Sequence, residues 1–301
     1  MADNITTAFV TQFQANVALL AQQIGSRLRG SVLEGSHTGE SADFLEQFGV
    51  ADTPVTDLPR NSDTPIMSVP QDRRWVYPQD IDWATLIDSQ DRLRMVIDPS
   101  SPIAQTAAAT MNRKLDDVIA TAMLGVARTG KTAQNSISLP GGNAVANTVG
   151  ASAATGMNVA KLREVRRLLR KAEIDFDTST VYVGLCSDKE ADLVNEIQVI
   201  NKDYNSVTSG SVLERGVLPG FMGFNFIHTE RFAGGAGSAA PGTPYTVPVW
   251  EKSGMHLGIW SDLTAMVDPR SDKRYATQLY TKMTIGASRT EESRVYTIAC
   301  V

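Results

Sequence analysis

The sequence predicts an α+β protein, and three stretches predict it. A single long helix runs through Asp98–Gly130. A compact strand-then-helix unit follows at Thr180–Ser187 and DKEADLVNEIQVI. The chain then closes on three strands with turns between them, Met255–Trp260, Tyr275–Ile285 and Arg294–Val301. The long helix has a marked start. Ser101 is an N-cap residue whose hydroxyl can accept a free backbone N–H, and Pro102 at the first helical position loses nothing by lacking its own. Ile103, Ala107, Met111, Leu115, Ile119 and Met123 then recur at i+4, widened by Val118 and Ala122, while Gln105, Asn112, Arg113, Asp116 and Asp117 fall outside the stripe. A helix over 101–129 is about 40 Å long, the width of a small domain.

The chain leading to this helix divides in two. Residues 5 to 28 carry Phe9, Phe13, Val17, Leu20 and Ile24 on one helical face, after which Gly25, Gly30 and Gly35 interrupt the pattern. An isolated helix of that length is marginal in water, so the amphipathic face needs a partner surface. Its own core and a neighbouring subunit serve the pattern equally well. Residues 52–97 contain Pro54, Pro59, Pro65, Pro70 and Pro78, which exclude long helices and central strands up to that point. Short extended pieces at 66–69 and 73–77 predict a hairpin or a long excursion. Arg73, Arg74, Trp75, Tyr77 and Trp83 bring together the residue types enriched at buried interface centres, although Trp75 and Trp83 also suit an ordinary core.

Gly125–Thr132, GVARTGKT, matches the G-x-x-x-x-G-K-[ST] phosphate loop letter for letter. A phosphate loop links a buried strand to a helix, whose N-terminal N–H groups point at the phosphates. Here the motif follows a helix and precedes a polar, Gly- and Asn-rich run. The expectation is therefore a helix end, with Gly130 as its C′ glycine and Arg128 and Lys131 beside the negative end of the helix dipole.

Beyond that run, Asn158 can cap a helix over VAKLREVRRLLRKAEID, with Leu162, Val165, Leu168, Leu169 and Ala172 as its apolar face. Lys161, Arg163, Arg166, Arg167, Arg170 and Lys171 oppose Glu164 alone. Such a run can meet phosphates by charge without reading sequence, or it can be a solvated or subunit-contacting face. The segment 216–228 alternates turn glycines with a β-like run, and Ala233–Pro244 has the composition of an exposed loop.

Composition narrows the function. The chain has 301 residues, 42% hydrophobic and 20% charged, with a net charge of −5, so no global basic field attracts nucleic acid and any such contact is local. Cys186 and Cys300 form no ligand spacing and read as free thiols. No basic-then-apolar leader and no run of ~18 apolar residues is present, which places the chain in the cytosol. His37, His228 and His256 stand apart in sequence, so no metal site is expected. The nucleophile-elbow, zincin and dinucleotide signatures are missing, so neither an enzyme nor a cofactor is expected.

The order of parts resembles the major capsid proteins of tailed bacteriophages, with the Hong Kong 97-like fold. The block from DTP through VPQDRRWVYPQDIDWATLIDSQDRLRMVIDPSSPIAQTAAATMNRKLDDVIATAMLGVARTG carries the likeness, with VLERGVLPGFMGFNFIHTERF and the closing AMVDPRSDKRYATQLYTKMTIGASRTEESRVYTIAC. The resemblance implies an N-terminal arm over 1–54 and an extended loop over 55–97. It implies a peripheral domain from 98–154 and 256–301 with a spine helix at 101–129, and an axial domain over 155–255. It further implies self-assembly into pentamers and hexamers, an icosahedral head in the virion assembled in the host bacterial cytoplasm, packaged double-stranded DNA bound non-specifically and a portal protein, and it leaves room for separate scaffold and decoration proteins as further partners. The arm residues Phe9, Phe13, Val17 and Leu20 and the loop residues Arg73, Arg74, Trp75, Tyr77 and Trp83 become inter-subunit contact candidates. The basic helix becomes DNA-facing or subunit-facing. Some relatives weld their shells through a lysine in the extended loop. The first lysine here is Lys114, so no such cross-link is expected. Only some fifty residues precede the loop, so a separate scaffold protein or none is expected. An encapsulin-type compartment shell shares the fold and is the alternative; a P-loop nucleotide hydrolase built on Gly125–Thr132 is a remoter one.

Overall fold

The frame is one long helix laid against a sheet made largely of one long hairpin. The computed structural model describes residues 22–50, 53–64, 66–88, 100–196, 218, 220–232 and 245–301. In chain order the elements are β1 (Leu33–Ser36), β2 (Ala42–Phe48), β3 (Gln71–Val76), β4 (Gln79–Ile87), α1 (Ser100–Leu124), β5 (Ala127–Thr129), β6 (Asn135–Ile137), β7 (Ala144–Val145), α2 (Val159–Lys171), β8 (Val181–Leu185), α3 (Ser187–Val194), β9 (Gly220–Phe221), β10 (Phe224–His228), β11 (Tyr245–Glu251), β12 (Met255–Arg270), β13 (Ala276–Arg289) and β14 (Val295–Cys300). They form three sheets, ordered β1-β12-β13-β4, β7-β14-β11-β8-β10-β9 and β2-β3-β5-β6.

Helix α1 forms where the i+4 stripe predicts it. Ala107, Met111, Leu115, Ile119 and Met123 are buried, with Val118 and Ala122 packed at the margin. The helix stops at Leu124 and not at Thr129. Gly125, not Gly130, follows its end. The next residues form β5, and Gly130 takes a positive φ in the turn to β6. The last turn of α1 is closed by Arg289, which lies 164 residues away in sequence. Its Nη1 donates to the carbonyls of Ala122 (3.2 Å), Met123 (3.1 Å) and Gly125, and its Nη2 to that of Ile137 (3.0 Å). A fully buried guanidinium thus does what Arg128 and Lys131 were expected to do.

The first two closing strands run beyond the segments that predict them, to Arg270 and Arg289, while the third, β14, falls within its predicted span. β12 and β13 pair antiparallel from Met255↔Arg289 to Arg270↔Ala276, and the half distal to Ser261 carries β12 out into solvent. Gly258 faces Gly286 at the foot of this hairpin. A Cβ on Gly286 would lie 2.1 Å from the Tyr77 carbonyl oxygen, so only glycine lets the β3–β4 turn cross there. The last strand, β14, does not join β12 and β13. It pairs with β11 and β7 in the six-stranded sheet, although the sequence groups residues 256–301 as one stretch.

That six-stranded sheet is buried by α2, capped at Asn158, whose side chain accepts from Lys161 N at 2.8 Å. Trp250 of β11 lies at the shared core and donates its indole N–H to the Ser31 carbonyl (3.0 Å), pinning the incoming chain beside Leu28 and Val32. Helix α3 begins at Ser187, where the Glu230 carboxylate accepts from both Ser187 N (2.8 Å) and Ser187 Oγ. No helix among the described residues is long and apolar enough to cross a membrane.

Candidate assembly interface

The arm is laid onto α1 by polar contacts. Residues 22–28 follow the helix, and the fully buried Asp116 carboxylate accepts from Gln23 Nε2 (2.5 Å), Ser26 Oγ (2.5 Å), Arg27 N (3.0 Å) and Leu28 N (3.2 Å). Arg113 donates to Gln22 Oε1 (2.9 Å) and to the Gln23 carbonyl (3.0 Å), and Asn112 to that of Ile24 (3.1 Å). A buried carboxylate accepting two main-chain N–H groups is a strong, geometry-specific anchor. The arm candidates Phe9, Phe13, Val17 and Leu20 lie outside the described residues.

The β2–β3 hairpin joins the last residues of the expected arm, 1–54, to the first part of the expected extended loop, 55–97. Its base is tied down by Arg74, which is buried and makes a two-pronged contact with Glu292, Nη1 to Oε1 at 2.7 Å and Nη2 to Oε2 at 2.6 Å. Its Nε donates to Gln47 Oε1 (2.9 Å). Arg74 is thus consumed inside the chain and is withdrawn from the inter-subunit candidates. Trp75 donates its indole N–H to the Gly130 carbonyl (2.6 Å), and Asp72 Oδ1 accepts from Gly130 N (2.9 Å). The glycine of the phosphate-loop match is therefore gripped by β3 on both its N–H and its carbonyl. Lys131 is followed by a turn and β6, with no helix to carry a phosphate. Arg73 is half-exposed, pairing with Asp43 and Glu46, Tyr77 is exposed, and Trp83 packs against the core from β4. Beyond the base the hairpin presents apolar side chains to solvent, Val50 at 94% and Ile66 at 97% exposure, with Phe48 also open.

The basic helix divides likewise. Lys161 is fully buried, its Nζ donating to the carbonyls of Thr155 (2.7 Å), Gly156 (2.8 Å) and Ala299 (3.0 Å), and burial lowers its pKa. It faces neither DNA nor a neighbour. Its place was legible, since it sits four residues before Val165, on the apolar face. Arg166 lies over the Phe176 ring, 5.3 Å from its centroid, and Arg167 pairs with Glu164. Arg163, Arg167, Arg170 and Lys171 are exposed.

Two histidines that stand far apart in sequence meet. His37 Nε2 and His256 Nε2 are 2.8 Å apart, a contact 219 residues long that no local pattern announces. Among the described residues no group of three His, Cys, Asp or Glu is arranged to hold a metal, and both cysteines are buried free thiols.

Comparison with known proteins adds the following. A family model described as phage capsid protein matches residues 5–301. No curated protein matches the sequence. Among solved structures, the capsid asymmetric unit of cyanophage Pam1 superposes with a TM-score of 0.72 at 14% identity, covering 100% of this chain and 99% of that one. The capsid of Helicobacter pylori bacteriophage KHP30 gives 0.71 at 11% identity, covering 99% and 98%. The capsid of cyanophage P-SCSP1u gives 0.69 at 15% identity, covering 100% and 95%.

Proposed function

The chain belongs to the phage capsid protein family as a major capsid protein with the Hong Kong 97-like α+β fold, and on that premise we propose that its copies assemble as pentamers and hexamers into the icosahedral head of a tailed phage enclosing double-stranded DNA. The observation that carries this reading is the hairpin. It is rooted in its own subunit by Arg74 and Trp75 and ends in apolar side chains such as Val50 and Ile66 that a lone subunit leaves in water. The tip then covers a neighbouring subunit, with Arg73 and Tyr77 at the margin of that contact, and the N-terminal segment bearing Phe9, Phe13, Val17 and Leu20 forms the second grip. Helix α1 with the sheet of β12 and β13 makes the peripheral domain, and the six-stranded sheet with α2 makes the axial domain.

The role is structural, not enzymatic. A head of this kind engages a portal protein during assembly in the bacterial cytoplasm, with a separate scaffold protein or none, and its outer face is open to decoration proteins. The exposed Arg163, Arg167, Arg170 and Lys171 offer a local positive face on a chain of net charge −5, suited to contacting packaged DNA without reading its sequence. Electron microscopy of the purified protein is the test. Closed icosahedral shells are the expected result, and a protein that stays monomeric at all concentrations and salt conditions overturns the proposal. DNA-filled particles bearing a portal separate a phage head from an encapsulin-type compartment.

A further inference from the structure

We propose that His37 and His256 form an acid-released clasp, which holds the strand after the arm and the root of the β2–β3 hairpin on the β12 edge and lets both go when the two imidazoles are protonated. The argument starts from proton counting. With the two Nε2 atoms 2.8 Å apart, one must carry the hydrogen and the other must offer its lone pair. Two imidazolium rings would point N–H at N–H, replacing an attraction by a repulsion between like charges.

His256 is held on several sides, and His37 is packed on one. His256 is buried on β12, and Phe44 lies flat on it, with centroids 4.2 Å apart and planes 5° apart. Phe44 reaches that ring because the β2–β3 register shifts between Asp43 and Leu45, a bulge that re-aims the residue between them. Trp260 sits 5.4 Å from the His37 ring and donates its indole N–H to the Gly39 carbonyl (2.8 Å). Glycines stand where any side chain would strike the rings. A Cβ on Gly35 would lie 2.6 Å from His256, and one on Gly258 2.8 Å from His37. His37 N also donates to the Ile259 carbonyl (3.0 Å), so the histidine contact continues the β1–β12 pairing by one residue. Three elements therefore meet at one hydrogen bond.

The charged groups facing the pair are few. From β2 comes Asp43, which favours a proton on His37 but is itself engaged by Arg73 of β3. From β13 the residue across from His256 is Ser288, which is uncharged. The acid of β1, Glu34, is taken by Arg29. Burial, with the nearby His37, pushes His256 down from 6.5 to about 4, and burial lowers His37 as well. A base whose pKa is depressed in the closed state contributes closure that is fully present above 6.5 and is lost as pH falls toward 4. In that window the open state takes up at least one more proton, so the opening constant rises at least about tenfold per pH unit.

Hydrogen exchange of the full chain, corrected for intrinsic rates and read by mass spectrometry from pH 7.5 to 4, tests this whether or not shells form. Protection in 33–37 and 42–46 is expected to fall at least about tenfold per pH unit below 6.5 while β8, β11 and β14 keep theirs. His37→Gln removes one of the two titrating rings and places a neutral carbonyl that can accept from a protonated His256, so its opening is expected to rise less steeply with falling pH than the wild type's, the burial of His256 keeping part of the slope; His256→Gln serves as the second variant. Wild-type protein that shows no selective loss in these segments overturns the proposal. So does His37→Gln opening with the wild-type slope, and failure of shell assembly in the microscope bears on neither result.

Discussion

Arg289 is the residue whose removal most directly tests how the long helix is held. Its guanidinium is fully buried and supplies donors to four carbonyls, three of them at the end of α1. Burial lowers its pKa, the Glu292 carboxylate 3.9 Å from Nε works against that, and neighbouring Arg74 adds to it. Two effects compete in Arg289→Met. Relief of the buried charge stabilises, as in ion pairs replaced whole by apolar groups. Here, however, one partner leaves while the carbonyls and Glu292 stay, and each buried polar group left unmatched costs about 1–3 kcal/mol. The second effect wins, and the expected loss is about 4 kcal/mol, close to what removing one member of a buried charged network costs. Against a total of about 5–15 kcal/mol for a typical domain, that is a large fraction. Arg289→Lys keeps a positive charge and three donors, and gives up the Nε that has no hydrogen-bond partner, so about half the loss is expected. Urea unfolding followed by tryptophan emission, at one protein concentration and assembly state, reads both; at roughly 2–3 kcal/mol/M the Met variant unfolds roughly 1.5 M earlier. A Met variant within about 1 kcal/mol of wild type, or a Lys variant worse than Met, refutes the account.

Two further outcomes follow from the same kind of count. Asp116→Asn keeps the shape but weakens an acceptor of four hydrogen bonds and removes its charge, so a loss of about 2 kcal/mol is expected, with faster tryptic cleavage after Arg27 and Arg29; cleavage at the wild-type rate would show that the arm is held elsewhere. Lys161→Met leaves the Thr155, Gly156 and Ala299 carbonyls without their shared donor and is expected to cost about 2–3 kcal/mol, whereas Arg163→Met on the exposed side is expected to be within about 0.5 kcal/mol, and thermal unfolding showing the reverse order would mean Lys161 is not buried.

Local pattern made α1 and α2 legible because each buries one face, which is what periodicity records, and β8 because it is a short apolar run buried almost throughout. The misreadings have a common cause. The distal part of β12 has little buried side, so Asp262–Arg270 shows no alternation to detect although it is paired along nearly its whole length. The end of α1 was assigned to Gly130 because the capping donor, Arg289, enters from the far end of the chain. Arg74 looked like an interface arginine since its carboxylate partner is 218 residues away. The clasp histidines looked solitary for the same reason. Only Lys161 was misassigned against available information, as its spacing to Val165 and Leu169 puts it on the buried face and charge alone argued otherwise.

What these long-range partners have in common is α1. Neighbouring aspartates on it serve different limbs. Asp116 holds the arm, while Asp117, turned about 100° around the helix, takes the Arg231 guanidinium with both oxygens, 2.7 Å to Nε and 2.5 Å to Nη2, and Arg231 follows β10 of the six-stranded sheet. Arg27 closes the triangle by donating to the His228 carbonyl (2.6 Å), and Arg289 fastens the helix end to the β12–β13 hairpin. The arm, the six-stranded sheet and the long hairpin are thus each referred to one rigid rod. A displacement of the arm relative to that sheet has to break the Asp116 or Asp117 contacts or move the rod, and moving the rod pulls on the carbonyls that Arg289 holds. The hairpin root is fastened differently, through Arg74 to Glu292 and through Phe44 to the histidine pair. Its strand β3 is also paired with β5 and grips Gly130 through Trp75 and Asp72, so the hairpin root is referred to the end of α1 as well, through the short strand that follows it.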